Sequence, residues 1–138
     1  MIIIDTSVAF KWFEDEKNST DARKILKNHL QGKEEISVPD LFFYELTNAW
    51  CTKSVLLPKD IKNNLDRLEK FALNIIPMSF TSLNKAMEFS KQYHVSVYDA
   101  LYAVLAEEKK CRLVTADTKF ISKADQDYII SLANSDKN

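Results

Sequence analysis

The chain has 138 residues, 46% of them hydrophobic and 28% charged, and a net charge of −1; this describes one soluble globular domain that can bury a core without disulfide or metal staples. A single glycine and three prolines exclude a flexible linker, a low-complexity segment and a glycine-rich phosphate loop, while the small net charge gives no bulk sign of a nucleic-acid partner and leaves that role to a local basic rim. Cys51 and Cys111 form no metal-ligand pattern and are expected as reduced thiols, no signal peptide is expected, and no apolar run approaches the roughly 20 residues that span a bilayer, so a cytoplasmic protein with no membrane segment is expected.

The chain opens on MIIIDTS. Its continuous branched run predicts a strand at residues 2–4, buried on both faces. The run stops at Asp5, followed by two hydroxyl residues, Thr6 and Ser7. From Thr20, the apolar positions Ala22, Ile25, Leu26 and Leu30 recur at helical spacing. A second strand, residues 36–38, ends at Pro39, and a very apolar helix follows over residues 41–51. Pro58 suits a first helical turn, after which Ile61, Leu65, Leu68 and Ala72 form one stripe. Residues 75–76 predict a third strand. Leu83, Ala86, Met87 and Ser90 line the next helix, and Val97, Leu101, Val104 and Leu105 another. Residues 113–114 predict a fourth strand, and residues 128–130 a weaker fifth. Strands alternating with helices imply parallel strands joined by crossovers, an α/β sheet covered on both sides. Ligands of such open sheets bind beyond the carboxyl ends of the strands.

Four carboxylates stand in telling places. Asp5 directly follows the first strand, and Asp117 follows the fourth in the phrase LVTAD, so both belong on the carboxyl-end rim. Taken singly, each is explained as a helix N-cap. Glu45, in PDLFFYELTNAW, falls inside the stripe of Phe42, Leu46 and Ala49; a carboxylate there is costly unless paired or bound, or else lies on an exposed edge. Asp99 stands three residues after Ser96 in HVSVYDALYAVLAEE, a capping-box spacing favoured by the helix dipole. If all four converge, their mutual repulsion raises their pKa values, and a hard divalent cation, Mg²⁺ or Mn²⁺, relieves it through oxygen ligands. Such a site activates water and stabilises an in-line phosphoryl displacement. Thr6, Ser7 and Thr115 are placed to orient the acids or waters.

IIIDTSV, Glu45 in VPDLFFYEL, Asp99 in SVYDALYAVLAEE and Asp117 in LVTADTKF, in this order and spacing, resemble the PIN domain family and, within it, the VapC-type toxin ribonucleases, over nearly the whole chain. The resemblance implies a Rossmann-like, three-layer α/β domain with a central parallel sheet of about five strands flanked by helices. One domain over residues 1–134, with a short tail at 135–138, is expected. The family's acidic quartet carries over to Asp5, Glu45, Asp99 and Asp117, and its hydroxyls to Thr6 or Ser7 and Thr115. Asp5, Asp99 and Asp117 are then the expected metal-binding residues, and Glu45 binds metal or receives a proton from the attacking water. The implied activity is a Mg²⁺- or Mn²⁺-dependent endoribonuclease, a homodimer neutralised by a cognate antitoxin lying across or near the groove. Many relatives carry a further acid shortly after the fourth; Thr118, Lys119 and Phe120 stand there, so no fifth ligand is assigned.

Two other readings compete. A PIN-like module that binds without catalysis gains nothing from clustered like charges. An aspartate-based phosphatase using Asp5 as nucleophile wants a second Asp where Ser7 stands, and a phosphoreceiver wants paired acids after the first strand. His29 and His94 are expected to be structural, and Phe42, Phe43, Tyr44 and Trp50 mainly core. The tail SDKN is expected to fray. Lys11 and Lys119 are candidates for holding RNA phosphates.

Overall fold

A computed structural model describes residues 1–137. In chain order it runs β1 (Ile2–Ile4), α1 (Thr6–Phe10), α2 (Ser19–Leu30), β2 (Ile36–Pro39), α3 (Leu41–Thr52), α4 (Pro58–Lys70), β3 (Asn74–Ile76), α5 (Phe80–Tyr93), α6 (Val97–Glu108), β4 (Arg112–Thr115), α7 (Thr118–Ala124) and β5 (Ile129–Ser131), closing on a 3₁₀ turn at Leu132–Asn134. The five strands form one sheet in the order β3-β2-β1-β4-β5, all parallel. The isoleucines of β1 are buried because β1 is the central strand, paired with β2 on one side and β4 on the other. The chain moves outward from β1 to β2 and β3, then returns to β4 on the opposite side. That reversal makes the carboxyl ends of β1 and β4 the topological switch point, where open α/β sheets bind their ligands.

Both faces of the sheet are covered by helices, and α6 is the most enclosed of them. Its residues Ala100 and Tyr102 to Ala106 are all buried, because α6 packs against β1, β4 and α5 at once. Three small alanines among them let the helix approach the sheet closely.

Three expectations shift. The third strand is not buried on both faces: β3 is the sheet edge, and Ile75 is 53% exposed. The inward face of α5 is Ser82, Ala86 and Phe89; Leu83 and Met87, which spacing alone assigns to the inner stripe, point to solvent. The short α1 leaves no periodic signature in the sequence, since five residues hold barely more than one helical turn. The tail is tied back over its described part, with Arg112 donating to the Ser135 carbonyl at 3.3 Å and Lys24 paired to Asp136 at 2.8 Å; Asn138 lies outside the described residues.

Of the residues expected to be structural, all but Tyr44, which is exposed, behave so. His29 pins three elements: its Nδ1 accepts from the Ile36 N–H at 3.0 Å and its Nε2 donates to the Phe71 carbonyl at 2.9 Å. His94 ends α5 in a left-handed conformation, φ 56°. Cys51 and Cys111 are free thiols. Phe42 and Trp50 are fully buried, Phe43 is half-buried, and Tyr44 is exposed. Among the described residues no helix is long and apolar enough to cross a membrane.

Candidate active site

The register of the sheet builds the first half of the site. Ile4 pairs with Val114, so the next residues, Asp5 and Thr115, emerge side by side at the carboxyl ends of β1 and β4. Asp5 also caps α1, its carboxylate accepting from the Ser7 N–H at 3.1 Å. The Ser7 hydroxyl donates to Asp5 Oδ1 and accepts from the Ala116 N–H at 2.9 Å. The Thr115 hydroxyl donates to Asp5 Oδ2 at 2.5 Å and accepts from the Asp117 N–H at 3.0 Å. Each hydroxyl therefore spends its one proton on Asp5 and uses a lone pair to hold the backbone after β4. This lattice fixes the Asp5 rotamer and joins the two strand ends.

Helices deliver the other acids. Asp117 caps α7, with Oδ1 accepting from the Phe120 N–H at 3.1 Å. Ser96 caps α6 and accepts from the Asp99 N–H at 3.0 Å, which places Asp99 in the first helical turn. On α3, burial of Phe42 and Leu46 turns the half-buried Glu45 toward the same opening. Tyr102, one turn after Asp99 on α6, donates from its hydroxyl to Glu45 Oε1 at 2.7 Å and so ties α6 to α3.

All four acids line one groove of about 500 Å³, with Thr6, Ser7, Tyr102, Lys11, Glu16 and Lys53 also on its walls. Thr115 lies beneath, fully buried, and reaches the groove through Asp5. Thr6 lines the groove, but among the described residues its side chain makes no hydrogen bond to an acid. The cap role and the site role of Asp5, Asp99 and Asp117 thus coexist: cap geometry is how the fold aims these side chains. Tyr102 carries no signal in the sequence, because a tyrosine on an apolar helix reads as core until its hydroxyl partner is known.

The electrostatics follow from burial and crowding. Asp5 is raised to about 6, first by loss of solvation and also by the Asp99 charge, against the lowering effect of Ser7 and Thr115. Glu45 is raised by burial and by Asp99, with the Tyr102 hydroxyl and Lys53 opposing. Asp99 is raised by burial and by Asp117, with Ser96 and Lys123 opposing. The Tyr102 phenol is held far above its usual range by burial and by the Glu45 charge, so it stays a proton donor. Among the described residues no group of three or more His, Cys, Asp or Glu side chains is arranged to hold a metal ion directly. The donor chemistry nonetheless fits a hard cation: it is all oxygen, and among the described residues no cationic side chain pairs with the buried Asp5 carboxylate. Mg²⁺ commonly takes only one or two carboxylates and fills its remaining positions with water.

Fold and groove together define a class: a parallel α/β domain with an acid-lined groove at the switch point of its sheet. The chain belongs to the PIN domain family, which it matches over residues 2–126, as the motifs of the sequence imply. It is 26% identical over 126 residues to Ribonuclease VapC3 of Pyrobaculum aerophilum, covering 88% of this chain and 93% of that protein. A solved protein of Pyrobaculum aerophilum superposes with a TM-score of 0.72 at 21% identity, over 96% of this chain and 90% of that one. VapC20 of Mycobacterium tuberculosis, described as a sarcin–ricin-loop-cleaving toxin, gives 0.67 at 12% identity, over 88% and 94% of the two chains. A toxin–antitoxin complex from Klebsiella pneumoniae gives 0.64 at 15% identity, over 88% and 91%.

Proposed function

We propose that this chain is a metal-dependent endoribonuclease that hydrolyses RNA phosphodiester bonds and serves as the toxin of a type II toxin–antitoxin pair. The observation that carries the reading is the meeting of Asp5, Glu45, Asp99 and Asp117 in one groove at the switch point. The ribonuclease relative and the toxin–antitoxin neighbours support it.

In this reading Asp5 and Asp99 would hold Mg²⁺ or Mn²⁺, with Asp117 bound to it directly or through water. The bound cation supplies charge neutralisation at the phosphate and a lowered pKa for water. Ser7 and Thr115 keep Asp5 oriented by donating to both of its oxygens. Glu45, steered by Tyr102, receives a proton from the attacking water; its raised pKa brings it nearer to neutral pH, which suits a general base. The domain covers residues 1–134, acts in the cytoplasm as a homodimer, and is neutralised by a cognate antitoxin whose segment lies across or near the groove. Phe80, Leu83 and Met87, exposed along one face of α5, support the dimer.

Expression in a host without the antitoxin tests the function. Wild type should arrest growth and create new RNA ends, and Asp5→Asn should do neither. With purified protein, cleavage should require a divalent cation and stop on chelation. An Asp5→Asn protein that folds and cuts RNA at the wild-type rate in magnesium contradicts the reading.

A further inference from the structure

A groove lined by four carboxylates must still attract a polyanion, and phosphates beside the cleaved one need positive charge. Two lysines line the groove, Lys11 and Lys53. Lys11 is already engaged: its ammonium donates to Glu16 Oε1 at 3.1 Å and to the Lys17 carbonyl at 2.8 Å, and its side chain is only 13% exposed. Lys119, on α7, is exposed and does not line the groove. Lys53 is different. It is exposed at the end of α3, and among the described residues its ammonium makes no hydrogen bond and no close ion pair, its charge acting on Glu45 only from across the groove.

The helix places it well. Glu45 and Ala49 stand four residues apart on one face of α3, Lys53 caps the carboxyl end of that helix four residues further on, and all three line the groove. Ala49, between the other two, brings only a methyl group to the groove wall. A lysine at a helix end is sufficiently explained by the helix dipole, but that role does not require lining the groove.

Resting on the ribonuclease reading above, we propose that Lys53 forms a phosphate-binding subsite that holds the RNA phosphate next to the one cleaved, so that the substrate backbone leaves the acids along the carboxyl-terminal half of α3. Lys11 does not share this role, since Glu16 occupies it.

The test is steady-state cleavage of a single-stranded RNA at fixed magnesium and varied potassium chloride. Lys53→Gln should raise KM at least fivefold with kcat nearly unchanged. It should also flatten the dependence of log(kcat/KM) on log salt by about 0.7, the value of one single-strand phosphate contact. Lys53→Arg should restore both. Lys62→Gln, which removes an exposed lysine paired to Asp66 on α4, should change neither. In an Asp5→Asn background, which separates binding from chemistry, Lys53→Gln should weaken RNA binding by the same factor. If wild type cleaves RNA but Lys53→Gln leaves KM and salt slope unchanged, the subsite is overturned while the ribonuclease reading stands. A fall in kcat alone overturns it as well, because it assigns Lys53 to the charge of Glu45 instead of to RNA. If wild type cleaves no RNA, it is the ribonuclease reading that fails.

Discussion

Burial raises the Asp5 pKa to about 6 from 3.8 although two hydroxyls donate to its carboxylate, so the cation-free fold carries a charge it would hold more cheaply protonated. The sign follows by linkage. A carboxylate whose folded pKa lies above its unfolded value favours the fold at pH below about 3.8, and that advantage is lost as pH rises through about 6. At about 1.4 kcal/mol per tenfold change in proton affinity, the difference approaches about 3 kcal/mol at neutral pH. Asp5→Asn should therefore be more stable than wild type at pH 8 without divalent cations, by about 1–3 kcal/mol in urea unfolding, with the gap closing toward pH 4; equal stabilities at pH 8 would refute this account of the site. Tyr102 works by a different route. Its hydroxyl donates to Glu45, so Tyr102→Phe should lower kcat about tenfold with KM little changed, the scale of one lost hydrogen bond to a charged group. The same lost bond, which ties α6 to α3, should also lower the unfolding midpoint. A rise in KM with unchanged kcat would instead put the hydroxyl on the substrate. At this scale the acids are legible in the sequence because Asp5 and Asp117 follow strand runs, Asp99 follows a cap signal and Glu45 interrupts an apolar helical stripe, whereas Tyr102 and Lys53 are not: their roles depend on what α6 and α3 face, and no local pattern encodes that.

At the level of elements, the strands are readable within a residue or two because a short continuous run of Ile and Val fits a buried strand far better than a surface helix or a loop. Periodicity does less well on α5. Spacing identifies an apolar face but not what covers it, and on α5 two apolar faces compete. The narrower one, Ser82, Ala86 and Phe89, packs inside; Phe80, Leu83 and Met87 remain 72%, 37% and 47% exposed. Exposed apolar side chains grouped along one helix mark an interface, and the edge strand β3, with Ile75 exposed, immediately precedes this helix. The proposed homodimer should use this face. Leu83→Glu combined with Met87→Glu should convert a two-chain species to a one-chain species in light scattering, with the circular dichroism spectrum retained because neither residue belongs to the core. A mass of two chains in the double variant would move the interface elsewhere.

For the molecule as a whole, the sheet order concentrates like charge where β1 and β4 end, and a cation that binds only the folded groove must stabilise the entire domain. A ligand at one hundred times its Kd contributes about 2.7 kcal/mol, and a domain of this size converts that into roughly 10 °C of Tm. Magnesium or manganese should accordingly raise the Tm of wild type by about that amount, and chelation should reverse it. Protons and the cation compete for Asp5, so the gain should be larger at pH 8 than at pH 5. Asp5→Asn, with no carboxylate to offer at the centre of the groove, should lose most of the gain while starting from a higher Tm without cation at pH 8. That crossed pattern separates a cation held at Asp5 from one held loosely by surface acids, because surface binding would lift both proteins equally at either pH.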